Sequence, residues 1–226
     1  MSDPSADYLG EGGREALATV LELLAEERAS VSSVVDERAW RVHVEDSLTG
    51  LDVDELRAAG RIADVGAGAG FPGLALAVAL PRAEVDLIES VGRKCDFMRR
   101  AIAAAGLENA VVRNVRYEDW AAGEGREIYD AVTARAVGRL ATLAELAAPL
   151  LAEGGVLVAW KGRRDEDEER QLAAAAAELA MTPAQTLEVG SRAGSEHRHL
   201  HVARKTGPTP ASLPRRAGMA KKRPKG

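Results

Sequence analysis

The sequence predicts an α/β fold, a doubly wound seven-stranded sheet preceded by an N-terminal helical extension. Three observations predict it. From residue 61 onward, short apolar runs alternate with helix-period stretches, and repeated strand–helix alternation implies a parallel sheet with right-handed crossovers. The turn after the first run, Gly66-Ala-Gly68-Ala-Gly70, has the glycine spacing that opens a nucleotide-binding βαβ unit. The last two runs have no helix between them. Gly190-Ser-Arg-Ala-Gly-Ser-Glu196 joins them, which predicts a hairpin and a sheet ending in an antiparallel strand.

The elements follow in order. Ala16, Leu17, Val20, Leu21, Leu23 and Leu24 recur at helical spacing and predict a helix over 11–28. Ser30 to Val35 reads as a loop, Glu37 to Leu48 as a second helix, and Val53 to Ala59 as a short third one capped by Asp52. This front is expected to pack on the sheet or roof its pocket. Strands are expected near 61–65, 84–88, 110–114, 129–134, 154–160, 184–189 and 198–204. Helices are expected near 72–80, 91–105, 139–151 and 164–180, with Pro72 suited to a first turn. Residues 206–226 contain four prolines and six basic residues and are expected to be extended, mobile chain that orders on binding. The organisation is therefore a helical extension over 1–60, a sheet domain over 61–205 and a basic tail over 206–226.

Charge is divided unevenly. The net charge of −5 conceals 14 acids against 5 bases in residues 1–60, and nine Lys or Arg with no acid in residues 197–226. That asymmetry assigns any polyanion contact to the C-terminal end. The N-terminus has neither a basic n-region nor an apolar h-region, and the longest apolar run, Leu74 to Leu80, is too short to span a bilayer. One cysteine, Cys95, excludes an internal disulfide and any multi-cysteine metal site. A reducing cytoplasm fits these features. His197, His199 and His201 alternate along a strand without acidic or cysteine partners, so no metal site is expected.

The glycine turn decides the ligand class. Its glycines let backbone N–H groups approach a ligand that a Cβ would hold away. A dinucleotide fingerprint needs its third glycine where Phe71 stands, which disfavours an NAD-dependent oxidoreductase. A phosphate-binding P-loop is excluded by the missing Gly-Lys-Ser/Thr. Asp64 followed by Gly66-x-Gly68-x-Gly70 fits the loop of S-adenosyl-L-methionine-dependent methyltransferases, as does a seven-stranded sheet with an antiparallel last hairpin. Glu89 ends the second strand about twenty residues on, where a carboxylate accepts both hydroxyls of a ribose. After the third strand, Asn114-Val-Arg-Tyr117-Glu118-Asp119 offers an acidic side chain to an adenine amino group.

His43-Val-Glu-Asp46-Ser47-Leu48, Asp64-Val-Gly-Ala-Gly-Ala-Gly-Phe-Pro-Gly73, Thr133-Ala-Arg135-Ala-Val137, Trp160-Lys161-Gly162, Arg198-His-Leu200 and Thr209-Pro-Ala-Ser-Leu-Pro214-Arg215-Arg216-Ala-Gly218 together resemble the ribosomal RNA small subunit methyltransferase G family, also called glucose-inhibited division protein B. The resemblance runs over residues 15–226. Leu213 departs from the family's tyrosine, Ala220 from a common proline, and Ser30 and Ser32 from an Asn-Leu-Thr stretch. The resemblance implies a class I, Rossmann-like methyltransferase that methylates N7 of one guanosine in the decoding-region loop of 16S rRNA. It also implies S-adenosyl-L-methionine as cofactor and naked rRNA, the 30S subunit or an assembly intermediate as partner, with the protein acting as a cytoplasmic monomer.

The site residues implied are Asp64, Gly66, Gly68, Gly70, Phe71, Glu89, Tyr117, Glu118 and Arg135 for the cofactor. Arg135, His43 and Asp46 are implied for catalysis. Guanine N7 carries a free lone pair and is a groove acceptor, so alignment rather than proton removal is the chemistry required. His43, Asp46 and Ser47 lie at i, i+3 and i+4 and share one helix face. Arg135 is expected at the guanine edge or a flanking phosphate, an ion pair with Asp130 or Glu145 being the competing role. Lys161, Arg198, Arg215, Arg216, Lys221 and Lys222 are the implied RNA contacts, and such contacts make affinity salt-dependent. Two other functions compete: a methyltransferase for a small molecule or protein, and a non-catalytic RNA-binding or ribosome assembly factor that keeps the fold.

Overall fold

The computed structural model describes residues 8–27, 31–189 and 197–225. Ser30 and the expected hairpin link at 190–196 lie outside the described residues. Seven strands form one sheet: β1 (Arg61–Val65), β2 (Glu84–Glu89), β3 (Ala110–Asn114), β4 (Tyr129–Arg135), β5 (Leu151–Lys161), β6 (Gln185–Glu188) and β7 (His199–Arg204). Their order is β3-β2-β1-β4-β5-β7-β6. The first five are parallel to one another, and β7 runs antiparallel to both β5 and β6. The antiparallel strand is thus inserted beside β5 and does not end the sheet; β6 forms the edge. β5 presents six residues to β7, from Val156 to Lys161, and β6 presents four.

Helices cover both faces, so central strands read as continuous apolar runs. Ile62 of β1 faces one layer, packed with Leu17, Val20 and Leu24 of α1 (Glu11–Glu26) and Leu74 of α4 (Gly73–Ala79). That layer also holds Cys95, Phe97 and Met98 of α5 (Gly92–Ala104). Ala63 and Val65 face the other layer, with Leu140, Leu143 and Ala147 of α7 (Leu140–Ala147) and Leu172 of α8 (Glu166–Ala175). Two short helices complete the front, α2 (Asp46–Leu48) and α3 (Asp54–Arg57).

Local chemistry explains where expectation and structure differ. The second helix begins at Trp40 as a π-helical turn, Trp40–Glu45, continues as α2 and tightens into a 3₁₀ turn, Thr49–Asp52. A widened turn of this kind re-aims side chains and is common at functional sites. Val53 rather than Asp52 caps α3, because Asp52 is still inside the 3₁₀ turn. A helix absent from the expected pattern, α6 (Tyr117–Ala122), follows β3. Only one and a half turns long, it has too few residues to display a helical period.

The C-terminal segment is docked along the described 206–225, not extended and mobile. Thr209, Leu213 and Ala220 are buried. Lys205, itself buried, donates from Nζ to Glu127 Oε1 (2.8 Å), Leu151 O (2.6 Å) and Thr209 Oγ1 (2.7 Å). Arg215 grips Glu145 of α7 with two bonds of 2.5 Å. The Gly218 N–H donates to Glu118 Oε1 at 2.7 Å, and a last turn, α9 (Met219–Lys222), follows. Composition alone marks such a segment as loose; two buried acids and two buried apolar side chains fasten it. No helix among the described residues is long and apolar enough to cross a membrane.

Candidate functional site

An open cleft of about 510 Å³ lies at the carboxyl ends of β1, β4 and β5. The glycine turn forms its floor. Gly66, Gly68 and Gly70 all have positive φ, +68°, +59° and +88°, a region that glycine enters without steric cost. A Cβ on Gly68 would make only an ordinary contact, with Gly66 O at 3.7 Å, whereas one on Gly70 would strike Leu74 at 2.4 Å. Gly70 is buried and shapes the turn from below. Gly66 and Gly68 line the cleft.

Asp64 sits beneath that turn and does not reach the cleft. Its Oδ2 accepts the Gly73 N–H at 3.0 Å and its Oδ1 the Thr133 hydroxyl at 3.1 Å. Burial pushes its carboxyl up to about 6, against the pull of those two donors. Asp64 is a brace that ties the start of α4 to β1 and β4. Glu89 closes the far side of the turn. Its Oε2 accepts the Gly68 N–H at 3.2 Å, and its Oε1 the N–H groups of Ser90 and Val91 at 2.8 and 2.9 Å. Lys94 Nζ lies 3.9 Å from Oε2. A carboxylate offers about four lone-pair sites, so three backbone donors leave capacity for about one further donor, such as a ribose hydroxyl.

The π-helical turn roofs the cleft. His43 stacks on Phe71, ring centroids 5.1 Å apart, and its Nε2 lies 2.9 Å from Val34 O. A carbonyl only accepts, so Nε2 carries the hydrogen and the bare Nδ1 faces Arg135 Nη2 at 3.5 Å. Burial lowers the His43 pKa, with the Arg135 charge acting in the same direction. The ring is a neutral spacer pinning residues 32–34 over the cleft, with Ser32 Oγ 3.2 Å from the same nitrogen.

Asp46 is buried between two arginines. Arg135 Nη1 donates to Oδ2 at 2.9 Å and to Val42 O at 2.9 Å. Arg198 Nε stands 2.6 Å from Oδ1, a charge contact in which the N–H is not aimed at the oxygen. Arg135 therefore pairs with Asp46 and not with the anticipated alternatives: Asp130 accepts the Gly60 and Arg61 N–H groups and Glu145 holds Arg215. Trp160 fixes the arrangement from β5, donating Nε1–H to Asp46 O at 2.8 Å and Thr49 Oγ1 at 3.1 Å.

Of the anticipated residues, His43, Gly66, Gly68, Phe71, Arg135, Lys161 and Arg198 meet around the cleft. Others do not. Glu118 is buried, with Oε1 bonded to Gly218 of the tail and Oε2 without a hydrogen-bond partner among the described residues. Tyr117, half-buried at the start of α6, borders the Glu89 end: burial and the Glu118 and Glu89 charges raise its phenol pKa. Arg215 is held by Glu145 and is not a free cation, while Arg216, Lys221 and Lys222 are exposed. Lys161 and Arg198 carry carboxylate partners, Lys161 Nζ lying 2.7 Å from Glu168 Oε2.

Lys94, Trp160, Ala136 and the segment Val31–Val34 also line the cleft and escaped sequence reasoning. For Lys94 a signal existed, a cation five residues after Glu89 in the first turn of α5. Among the described lining residues are four cations, Lys94, Arg135, Lys161 and Arg198, and no carboxylate. No cluster of metal-ligating side chains occurs among the described residues.

A family model described as rRNA small subunit methyltransferase G matches residues 15–200. The chain belongs to this family. Among relatives named ribosomal RNA small subunit methyltransferase G, that of Rubrobacter xylanophilus is 47% identical over 186 residues, covering 80% of this chain and 71% of its own. That of Pelotomaculum thermopropionicum is 36% identical over 234 residues, covering 97% and 98%. Solved structures share the fold. The O-methyltransferase TomG of Streptomyces achromogenes, determined in complex with SAM, superposes with a TM-score of 0.57 at 19% identity, over 85% of this chain and 90% of that one. The tRNA (m1A58) methyltransferase of Aquifex aeolicus gives 0.54 at 19%, over 72% and 69%. For a member of the methyltransferase G family, this sheet order and a glycine turn at the carboxyl end of β1 are the class I methyltransferase architecture.

Proposed function

We propose that this chain transfers a methyl group from S-adenosyl-L-methionine to N7 of a guanosine in the decoding-region loop of 16S rRNA, acting as a cytoplasmic monomer. One observation carries the reading: the open glycine turn, with Glu89 behind it, floors a cleft bordered by four cations and no carboxylate. The turn suits a nucleoside and the cations suit an RNA strand. When bound, the cofactor supplies an electrophilic methyl on a sulfonium.

The chain's own residues then align and shield. Glu89 would receive a ribose hydroxyl at its remaining acceptor site, Gly66 and Gly68 would let the backbone approach, and Tyr117 would border the adenine. His43 and Phe71 stack to wall the transfer path. Because guanine N7 needs no deprotonation, a neutral His43 is compatible with the reaction. Arg135 is braced by Asp46, so it presents a fixed guanidinium to the target base or its phosphate, a preorganised charge of the kind that stabilises a transition state. Lys161, Arg198 and the exposed Arg216, Lys221 and Lys222 meet phosphates. Arg198 and Lys161 do so only by sharing or leaving the carboxylates they now hold.

The test is incubation with labelled S-adenosyl-L-methionine and 16S rRNA from cells lacking the activity, followed by nucleoside analysis. A single 7-methylguanosine in the decoding-region loop is expected. No incorporation on either naked rRNA or 30S particles overturns the reading and favours an assembly factor that keeps the fold.

A further inference from the structure

We propose that the C-terminal segment is a positioning element for the cofactor, with Arg215 and Gly218 holding α6 in place as the wall of the adenosine site. The inference rests on the reading that the adenosine lies between Glu89 and Tyr117. One contact joins the tail to α6 and two join it to the neighbouring α7. Gly218 N–H donates to Glu118 Oε1 at 2.7 Å, and Glu118 is the second residue of α6, adjacent to Tyr117. Arg215 makes its two-bond grip on Glu145 of α7, and Thr142 Oγ1 of α7 donates to Ala220 O at 3.3 Å. Pro214, Arg215 and Ala220 meet Glu118 and Glu145 around one small void of about 10 Å³, so tail, α6 and α7 are packed as a unit.

Topology connects this unit to the cofactor end of the sheet. Asn114, the last residue of β3, pairs in register with Glu89 and donates Nδ2–H to Glu89 O at 3.1 Å. Tyr117 begins α6 three residues later. With a ribose on Glu89 and the glycine turn on one flank, the base is carried toward β3, onto the first turn of α6. α6 has six residues and no side-chain cap, and isolated helices of that length are unstable. Its middle is anchored by Trp120 Nε1–H donating to Tyr129 OH at 2.8 Å and by buried Ala121, and the tail adds a constraint on the first turn through Glu118. Arg215 is thus placed in cofactor positioning, apart from the exposed cations Arg216, Lys221 and Lys222.

Binding linkage is reciprocal, so S-adenosyl-L-methionine alone, without RNA, must tighten the tail. The experiment is amide hydrogen exchange of the full chain with and without saturating S-adenosyl-L-methionine, alongside calorimetric titration of variants. Slower exchange at the Gly218 amide is expected. Arg215→Ala is expected to weaken the cofactor by about fivefold or more, while the triple change Arg216→Ala, Lys221→Ala and Lys222→Ala leaves cofactor affinity unchanged and weakens RNA binding. Cofactor binding by the wild-type chain with no change at Gly218 overturns the inference alone, whatever the variants do. Failure of the wild-type chain to bind the cofactor overturns both the inference and the reading beneath it. Loss of RNA affinity in Arg215→Ala with normal cofactor affinity also counts against it.

Discussion

Arg135 donates to Asp46 at 2.9 Å across 89 positions of sequence, joining the end of β4 to the helical front over the cleft. Neither residue has slack. Arg135 is mostly buried, with 14% of its side chain exposed, and Asp46 shows 2%. Arg135→Ala is expected to lower kcat by about a hundredfold, the range seen when one preorganised donor is lost, with cofactor affinity near wild type. Asp46 keeps Arg198, so the fold survives. Arg135→Lys is not expected to restore the rate, because a point charge cannot reproduce the planar fork. Single-turnover kinetics with calorimetry separates the two effects, and a wild-type rate in Arg135→Ala removes the residue from the reaction.

The two glycines of the turn are expected to fail differently. Gly68→Val meets no clash at its Cβ but sits at φ +59°, so it costs about 1–3 kcal/mol of strain and blocks the cofactor. Gly70→Ala drives a methyl into Leu74 and lowers stability first. Thermal melts and cofactor titration of both variants check this; normal cofactor affinity in Gly68→Val refutes the assignment of the turn.

Asp64 makes stability depend on pH in an unusual direction. Its folded pKa, near 6, lies above the ordinary 3.8, so between these values the folded state binds the proton that the unfolded state has lost. Stability contributed by this group is greatest below about pH 4 and falls as pH climbs through 6, by about 3 kcal/mol in all. Carboxyl-carbon NMR is expected to place the Asp64 midpoint near 6. A midpoint below 4 sinks the claim.

Glu168 restrains Lys161 at the cleft mouth, with Arg139 Nε also 4.0 Å away. Glu168→Gln frees a cation without removing one. RNA affinity is expected to rise at low salt, and the slope of log K against log salt to steepen by about 0.7, one further phosphate contact on a single strand. A filter-binding salt series with an rRNA fragment measures both; an unchanged slope means Lys161 meets no phosphate.

Much of the fold was legible because its signals are local. Ile62, Ala63 and Val65, then three glycines, mark a strand and a turn whatever surrounds them, and Glu89 lies at a fixed distance beyond. What was not legible depends on distant partners. Glu118 looks like a solvent-facing acid until Gly218, 100 residues on, is seen bonded to it. Arg215 looks like an RNA contact because the sequence does not reveal Glu145 opposite it. The π-helical turn that aims His43 at Phe71 has no repeat to detect, and Trp160 betrays nothing of its bond to Asp46. Local pattern specified the sheet and the glycine turn, while the pairing of charges was decided by packing.

The order β5-β7-β6 sets a schedule for synthesis. β6 has one partner, β7, which leaves the ribosome after it. Chains emerge N-terminus first at about 5–20 residues per second, so β1 to β5 can pair as they appear, yet β6 must stay unpaired until residue 204 is free. During that interval the outer edge of β5 is an open ladder of backbone groups, the kind of edge that recruits strands from other chains. A chain stalled or truncated between β6 and β7 is therefore exposed to aggregation at that edge, and the final antiparallel strand is the piece that ends the hazard.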